Sequence, residues 1–145
     1  MTKRNLFFFF FLILAQLVYA SNWDDTKAQA KQENKLILLK FSGSDWCGPC
    51  IQLQKVIIDD PVFEQFAHEK LVLFKADFPR LKKNQLPKEQ QAINDQLAET
   101  YNPEGEFPCM VLIDAQGNTS RKWHGYDKKH TVQDYIADVN AFINK

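Results

Sequence analysis

The chain of 145 residues has the length of one domain on the usual scale of about 100–200 residues, which argues against a repeat array or a multidomain assembly. Apolar residues make up 45% and charged residues 25%, which excludes wholesale disorder. Eighteen basic residues balance 18 acidic ones, so long-range attraction to nucleic acid or to an anionic membrane is excluded as the basis of function.

Residues 1–20 differ from the rest. Lys3 and Arg4 precede an apolar run from Leu6 to Ala15 that resumes after Gln16 as Leu17-Val18-Tyr19-Ala20. A basic start, a short apolar middle and small-residue cleavage logic before Ser21 have the anatomy of a secretory signal. The alternative is an uncleaved N-terminal membrane anchor, but a bilayer core needs about 20 apolar residues and Gln16 interrupts this run. The expectation is therefore export to a periplasmic or extracellular location, with residues 21–145 as one domain. Without Lys3 and Arg4 that part holds 16 basic and 18 acidic residues, a net charge of −2. Its three cysteines are Cys47, Cys50 and Cys109, in a chain bound for an oxidising compartment.

From Trp23 to Lys35 a polar stretch containing Ala28 and Ala30 predicts a surface helix. Leu36-Ile37-Leu38-Leu39 and Phe41, interrupted by Lys40, predict a strand buried on both faces, and Ser42-Gly43-Ser44-Asp45 is turn chemistry. Gly48 to Ile58 then reads as a helix, and Asp60-Pro61 as the cap and first position of another, with Val62, Phe63, Phe66 and Ala67 as its apolar stripe. Leu71 to Ala76 predicts a second buried strand, followed by a basic excursion read as solvated surface (Arg80, Lys82, Lys83, Lys88). The next helix places Ala92, Ile93, Leu97 and Tyr101 on one face. Met110 to Ile113 and Thr119 to His124 predict strands joined by a hairpin turn, and Thr131-x-x-Asp134 opens an amphipathic last helix. This order predicts an α/β three-layer sandwich with a central mixed sheet flanked by helices.

The chemistry concentrates at Trp46-Cys47-Gly48-Pro49-Cys50. A cysteine at the start of a helix meets unpaired N–H groups and the positive end of the helix dipole, which favour its thiolate. Cys47 is therefore expected to titrate below the free-thiol value of about 8.5 and to attack disulfides at neutral pH. Cys50, one turn on and more sheltered, is placed to resolve the mixed disulfide. The reaction implied is two-electron thiol–disulfide exchange with no organic cofactor beyond a redox-active Cys47–Cys50 disulfide. Half a zinc site and a purely structural short-range disulfide are the competing readings. The former lacks a second ligand pair at suitable spacing, because only Cys109, His68, His124 and His130 remain.

Trp-Cys-Gly-Pro-Cys after an apolar strand, with Phe107-Pro108 before a later one, resembles the thioredoxin family, and the 21–145 segment is most similar to its exported bacterial members. The resemblance implies that Pro108 is the cis-proline opposite the cysteines. It also implies that the Phe107 backbone receives an extended substrate strand, and that Gly125 completes a groove with Trp46, Gly48 and Pro49. It implies a monomer whose substrates are disulfides of other exported proteins and which is recharged by an electron-donor thiol–disulfide protein. The Gly-Pro pair resembles that of reducing members, which points toward reduction. The chain departs from the family at Lys40, where the family carries a buried Asp, while Lys75 matches the lysine that usually pairs with that Asp. Both lysines are candidate modulators of the site: either positive charge near the cysteines stabilises thiolates, or Lys40 snorkels to solvent from a sheet edge. Cys109 is either a third thiol close to the pair or a small buried strand residue. The functional alternative is a non-catalytic module that binds copper through Cys47, Cys50 and Cys109 or a histidine.

Overall fold

The computed structural model describes residues 22–143, so the expected signal segment and its cleavage site lie outside the described residues. The first helix, α1 (Trp23–Glu33), is opened by the Asn22 side chain accepting from Asp24 N–H and closed by Asn34 in the left-handed conformation. It feeds β1 (Leu36–Ser42), whose residues after Leu36 are all buried. After the cysteine turn comes α2 (Gly48–Leu53), which continues through a wider π turn over Gln54–Ile58, so the predicted single helix is two geometries. The turn is closed by Asp59 N–H donating to the Gln54 carbonyl, five residues back. The third helix, α3 (Pro61–Lys70), starts as predicted, with the Asp60 carboxylate accepting from the N–H groups of Val62 and Phe63 and Pro61 in the first turn.

The remaining elements are β2 (Leu71–Asp77), α4 (Lys88–Tyr101), β3 (Cys109–Ile113), β4 (Thr119–His124) and α5 (Val132–Ile143). Thr131 and Asp134 cap the last helix reciprocally, as their spacing predicts. Among the described residues the strands form one sheet in the order β2-β1-β3-β4, with β1 and β2 parallel and the other pairs antiparallel. Leu38, Met110 and Leu112 face a core shared with Leu53, Ile57 and Phe63, and α5 adds Tyr135 and Val139 to it. Ile37, Leu39, Phe41 and Val111 face the other, which Ala30 of α1 and Leu97 of α4 cover. This is the expected three-layer sandwich.

Two details differ from the pattern-based expectation. β2 is an edge strand, and the helices above it leave Leu73 and Lys75 exposed while Val72, Phe74 and Ala76 stay buried. In α4, Ala92 is exposed, and the inward position beside Ile93 and Leu97 belongs to the buried Asn94, whose Nδ2 donates to the Asp77 carbonyl at 2.8 Å. A polar residue satisfied by a strand end substitutes there for an apolar one.

Candidate active site

The strand registers bring the site together. Phe41 at the end of β1 lies beside Cys109 at the start of β3, Cys109 lies beside His124 at the end of β4, and Ser42 pairs with Asp77 at the end of β2. The cysteine turn, the Phe107-Pro108 segment, Gly125 and the Phe78 loop therefore emerge at one end of the sheet. Ligand and active sites of α/β sheets gather at such ends.

Cys47 is the N-cap of α2: its backbone is extended and its Sγ accepts from Cys50 N–H at 3.3 Å. Cys47 and Cys50 are joined by a disulfide with their Cα atoms 5.2 Å apart. Both are buried, at 5% and 1% exposure, whereas Gly48 and Pro49 between them are exposed. The turn before them is tied down from outside. Ser44 donates through its N–H and hydroxyl to the Asp77 carboxylate at 3.0 and 2.5 Å. The Asp45 carboxylate accepts from the N–H groups of Arg80 and Leu81 and from the Asn84 amide. These bonds, the Arg80 N–H first among them, hold the Asp45 carboxyl below its usual range.

Trp46 bridges three segments. Its Nε1–H donates to the Phe78 carbonyl at 2.7 Å, its ring meets Phe107 edge-on at 5.5 Å, and the Arg80 guanidinium lies over it at 3.7 Å. Arg80, expected to be part of a solvated basic surface, is thus a wall of the site. The Phe107-Pro108 peptide is cis, and Gly125 N–H donates to the Pro108 carbonyl at 2.9 Å. Gly125 has a φ of +68°, a backbone conformation that L side chains rarely adopt. The residues read as substrate-binding in the sequence are therefore contiguous. Asp45, Asp77, Arg80 and Asn94 support them through contacts 17 to 39 residues apart in sequence, between the cysteine turn, the Phe78 loop and, for Asn94, α4 and the end of β2, which no local pattern announces.

The two modulating lysines differ in place. Lys40 does not snorkel from an edge: β1 is flanked on both sides, and the side chain is 6% exposed, donating to Gln54 Oε1. Burial pulls its pKa down to about 8, with Lys75 adding to the effect and Asp59 and Asp77 opposing it. Lys75 is half exposed and paired with Asp77 at 3.4 Å. It lines, with Cys50, Gln54 and Asp59, a cavity of about 340 Å³.

Cys109 is free and fully buried in the core beneath α1 and α4, on the face of the sheet opposite to α2. Burial pushes its thiol up to about 11, which makes it inert, so the reading of a third thiol beside the pair is replaced by the core reading. His124, beside Cys109 in the β3–β4 register, pairs with Glu106, and His130 pairs with Asp138. Among the described residues no group of three or more His, Cys, Asp or Glu side chains converges on one point. No helix among the described residues is long and apolar enough to cross a membrane.

Comparison with known proteins agrees with this geometry. Residues 18–115 match the thioredoxin-like family, and the chain belongs to it. It is 43% identical over 88 residues to the disulfide bond reductase DsbH of Chlamydia pneumoniae, covering 61% of this chain and 51% of that protein. It is 27% identical over 98 residues to the thioredoxin-related protein DsbJ of the same organism, covering 67% of this chain and 27% of that one. The chain thus spans about half or less of the length of these curated relatives. Among solved structures, a DsbH oxidoreductase superposes with a TM-score of 0.74 at 32% identity, covering 85% of this chain and 82% of that one. A disulphide isomerase from Xylella fastidiosa Temecula1 superposes at 0.60 and 18% identity, covering 80% and 86%, which bears on the fold alone.

Proposed function

We propose that this chain is a thiol:disulfide oxidoreductase that reduces disulfides of other exported proteins, with Cys47 as nucleophile and Cys50 as resolving thiol. The observation that carries the reading is the bonded Cys47–Cys50 pair, with Cys47 capping α2 at the sheet end where Trp46 packs on Phe107 beside the cis Pro108. In the dithiol form the Cys47 thiolate attacks a substrate disulfide and one substrate thiolate leaves. Cys50, deprotonated, then attacks Cys47 Sγ, and the second substrate thiolate leaves as the Cys47–Cys50 bond forms. Two electrons pass from the protein to the substrate, and an electron-donor thiol–disulfide protein returns the pair to the dithiol.

Support for the reducing direction comes from the Gly48-Pro49 dipeptide and from the name of the similar reductase DsbH. Support for export comes from the anatomy of residues 1–20. The test has two parts. A Cys50→Ser variant accumulates mixed disulfides with exported proteins through Cys47; an absence of trapped adducts rejects the exchange chemistry. The potential of the wild-type pair, equilibrated against glutathione and dithiothreitol, is expected near the roughly −270 mV of thioredoxin. A value near the roughly −180 mV of protein disulfide isomerase rejects the reducing direction.

A further inference from the structure

Lys40 is the one buried charged side chain among the described residues. It rises from the face of β1 on which α2 packs, for Leu38 two residues earlier and its β3 neighbour Met110 both belong to that core. An apolar residue fits such a position better, because a buried ion without a full counter-charge lowers stability. The lysine is held in place instead. Its Nζ donates to Gln54 Oε1, and Gln54 Nε2 donates to Asp59 Oδ1 at 2.6 Å. Gln54 stands one turn after Cys50, with its N–H bonded to the Cys50 carbonyl, and shares a cavity with Cys50. The other charges around Lys40 are Lys75 and Asp77 on β2 and Asp59 at the end of the π turn, with Lys55 on the cavity wall and only Met110 facing it from β3. Lys75 is half exposed and paired with Asp77. The one buried charge on this face of the sheet, joined to the Cys50 helix through Gln54, is therefore positive. A departure from packing logic at that spot points to function.

We propose that Lys40 is a positioning residue of the exchange reaction, whose buried ammonium, seated by Gln54, favours the Cys50 thiolate and speeds the resolving step. The inference rests on the exchange reading above. In the step concerned the Cys50 thiol gives its proton to water in the cavity and the thiolate attacks Cys47 Sγ in the mixed disulfide. The bond from Cys47 to the substrate sulfur breaks, and its electron pair leaves on the substrate thiolate. Lys40 exchanges no electrons and acts by charge alone.

The test mixes reduced protein with dithionitrobenzoate and follows two successive releases of thionitrobenzoate, the first from attack by Cys47 and the second from resolution by Cys50. An opposite charge nearby lowers a thiol's pKa by about one unit or more, which corresponds to about tenfold more thiolate at neutral pH. The more basic thiolate left in its absence is about threefold more nucleophilic, so the net loss is about threefold. Lys40→Met and Lys40→Gln are expected to slow only the second release by about threefold at neutral pH and to move its pH midpoint up by about one unit. Lys40→Arg is expected to keep the wild-type rate of the second release at neutral pH. Lys40→Gln keeps a donor for Gln54 and drops only the charge, so it reads out the role even where Met fails to fold. A folded Lys40→Gln protein with the wild-type second-phase profile overturns the inference while leaving the exchange reading intact. A wild-type protein that shows no second release overturns both.

Discussion

Burial of Lys40 imposes a pH signature on stability as well as on chemistry. Its amine titrates at about 8 in the folded chain against 10.5 when free, so between those values the unfolded chain holds a proton that the folded chain has lost. Stability therefore rises with pH across that window and carries the full penalty below pH 8. The penalty has an upper bound of about 3 kcal/mol from the size of the shift. Lys40→Met, which matches the apolar lining of Leu38 and Met110, is expected to be more stable than wild type at pH 7. That advantage should shrink as the pH approaches 10.5. Urea unfolding of both proteins from pH 7 to 10.5 measures it, and comparing the pair cancels the contribution of Tyr101 and Tyr135, whose phenols burial pushes up in both proteins. Parallel stability curves for the two proteins would mean that the amine is not held in the low-dielectric core. A site residue that lowers stability while aiding a chemical step is a familiar trade-off.

At the scale of elements, the cysteine turn is shaped by contacts that reach it from other segments. Gly43 is required there because a Cβ at that position would collide with the Trp46 indole. The ring cannot retreat without giving up its bond to the Phe78 carbonyl and its packing on Phe107. Gly43→Ala is therefore expected to cost about 1–3 kcal/mol, the usual range for overpacking a filled site. It is also expected to displace Trp46, which a shift in tryptophan fluorescence on mutation reports. Unchanged stability and emission would show the turn to be slack. Local signals in the sequence were enough to place the elements: Asp60-Pro61 starts α3, Thr131 with Asp134 starts α5, and Trp46-Cys47 precedes α2. Strand order was not local. Whether Lys40 lies at an edge or in the centre depends on β3 pairing with β1, a contact that closes a loop of some 70 residues. The exposure of Leu73 and Lys75 follows from the same order, because β2 carries a neighbour on one side only.

For the whole molecule, the same parity that assigns Lys40 to the α2 face assigns Cys109, opposite Phe41, to the other, so register decided the fate of both residues where composition left two readings open. With Cys109 sequestered, the chain has one redox couple, and that couple is tied to folding by a thermodynamic cycle. The difference in unfolding free energy between disulfide and dithiol forms equals the difference between the potentials of the pair in the folded and unfolded chain. For this two-electron couple about 1.4 kcal/mol corresponds to every 30 mV. A reductase holds its folded pair at a lower potential than the unstructured pair has, so the reducing direction requires the disulfide form to be the more stable one. The bridge joins residues only three apart, so it changes the dimensions of the denatured chain little and the two forms should unfold with similar m-values. Denaturant unfolding with and without dithiothreitol is then expected to give a higher midpoint for the oxidised protein at nearly constant slope. A higher midpoint for the dithiol form would mean that the fold favours the reduced pair, as in strong oxidants, and would reverse the proposed direction of electron flow while leaving the exchange chemistry of Cys47 and Cys50 in place.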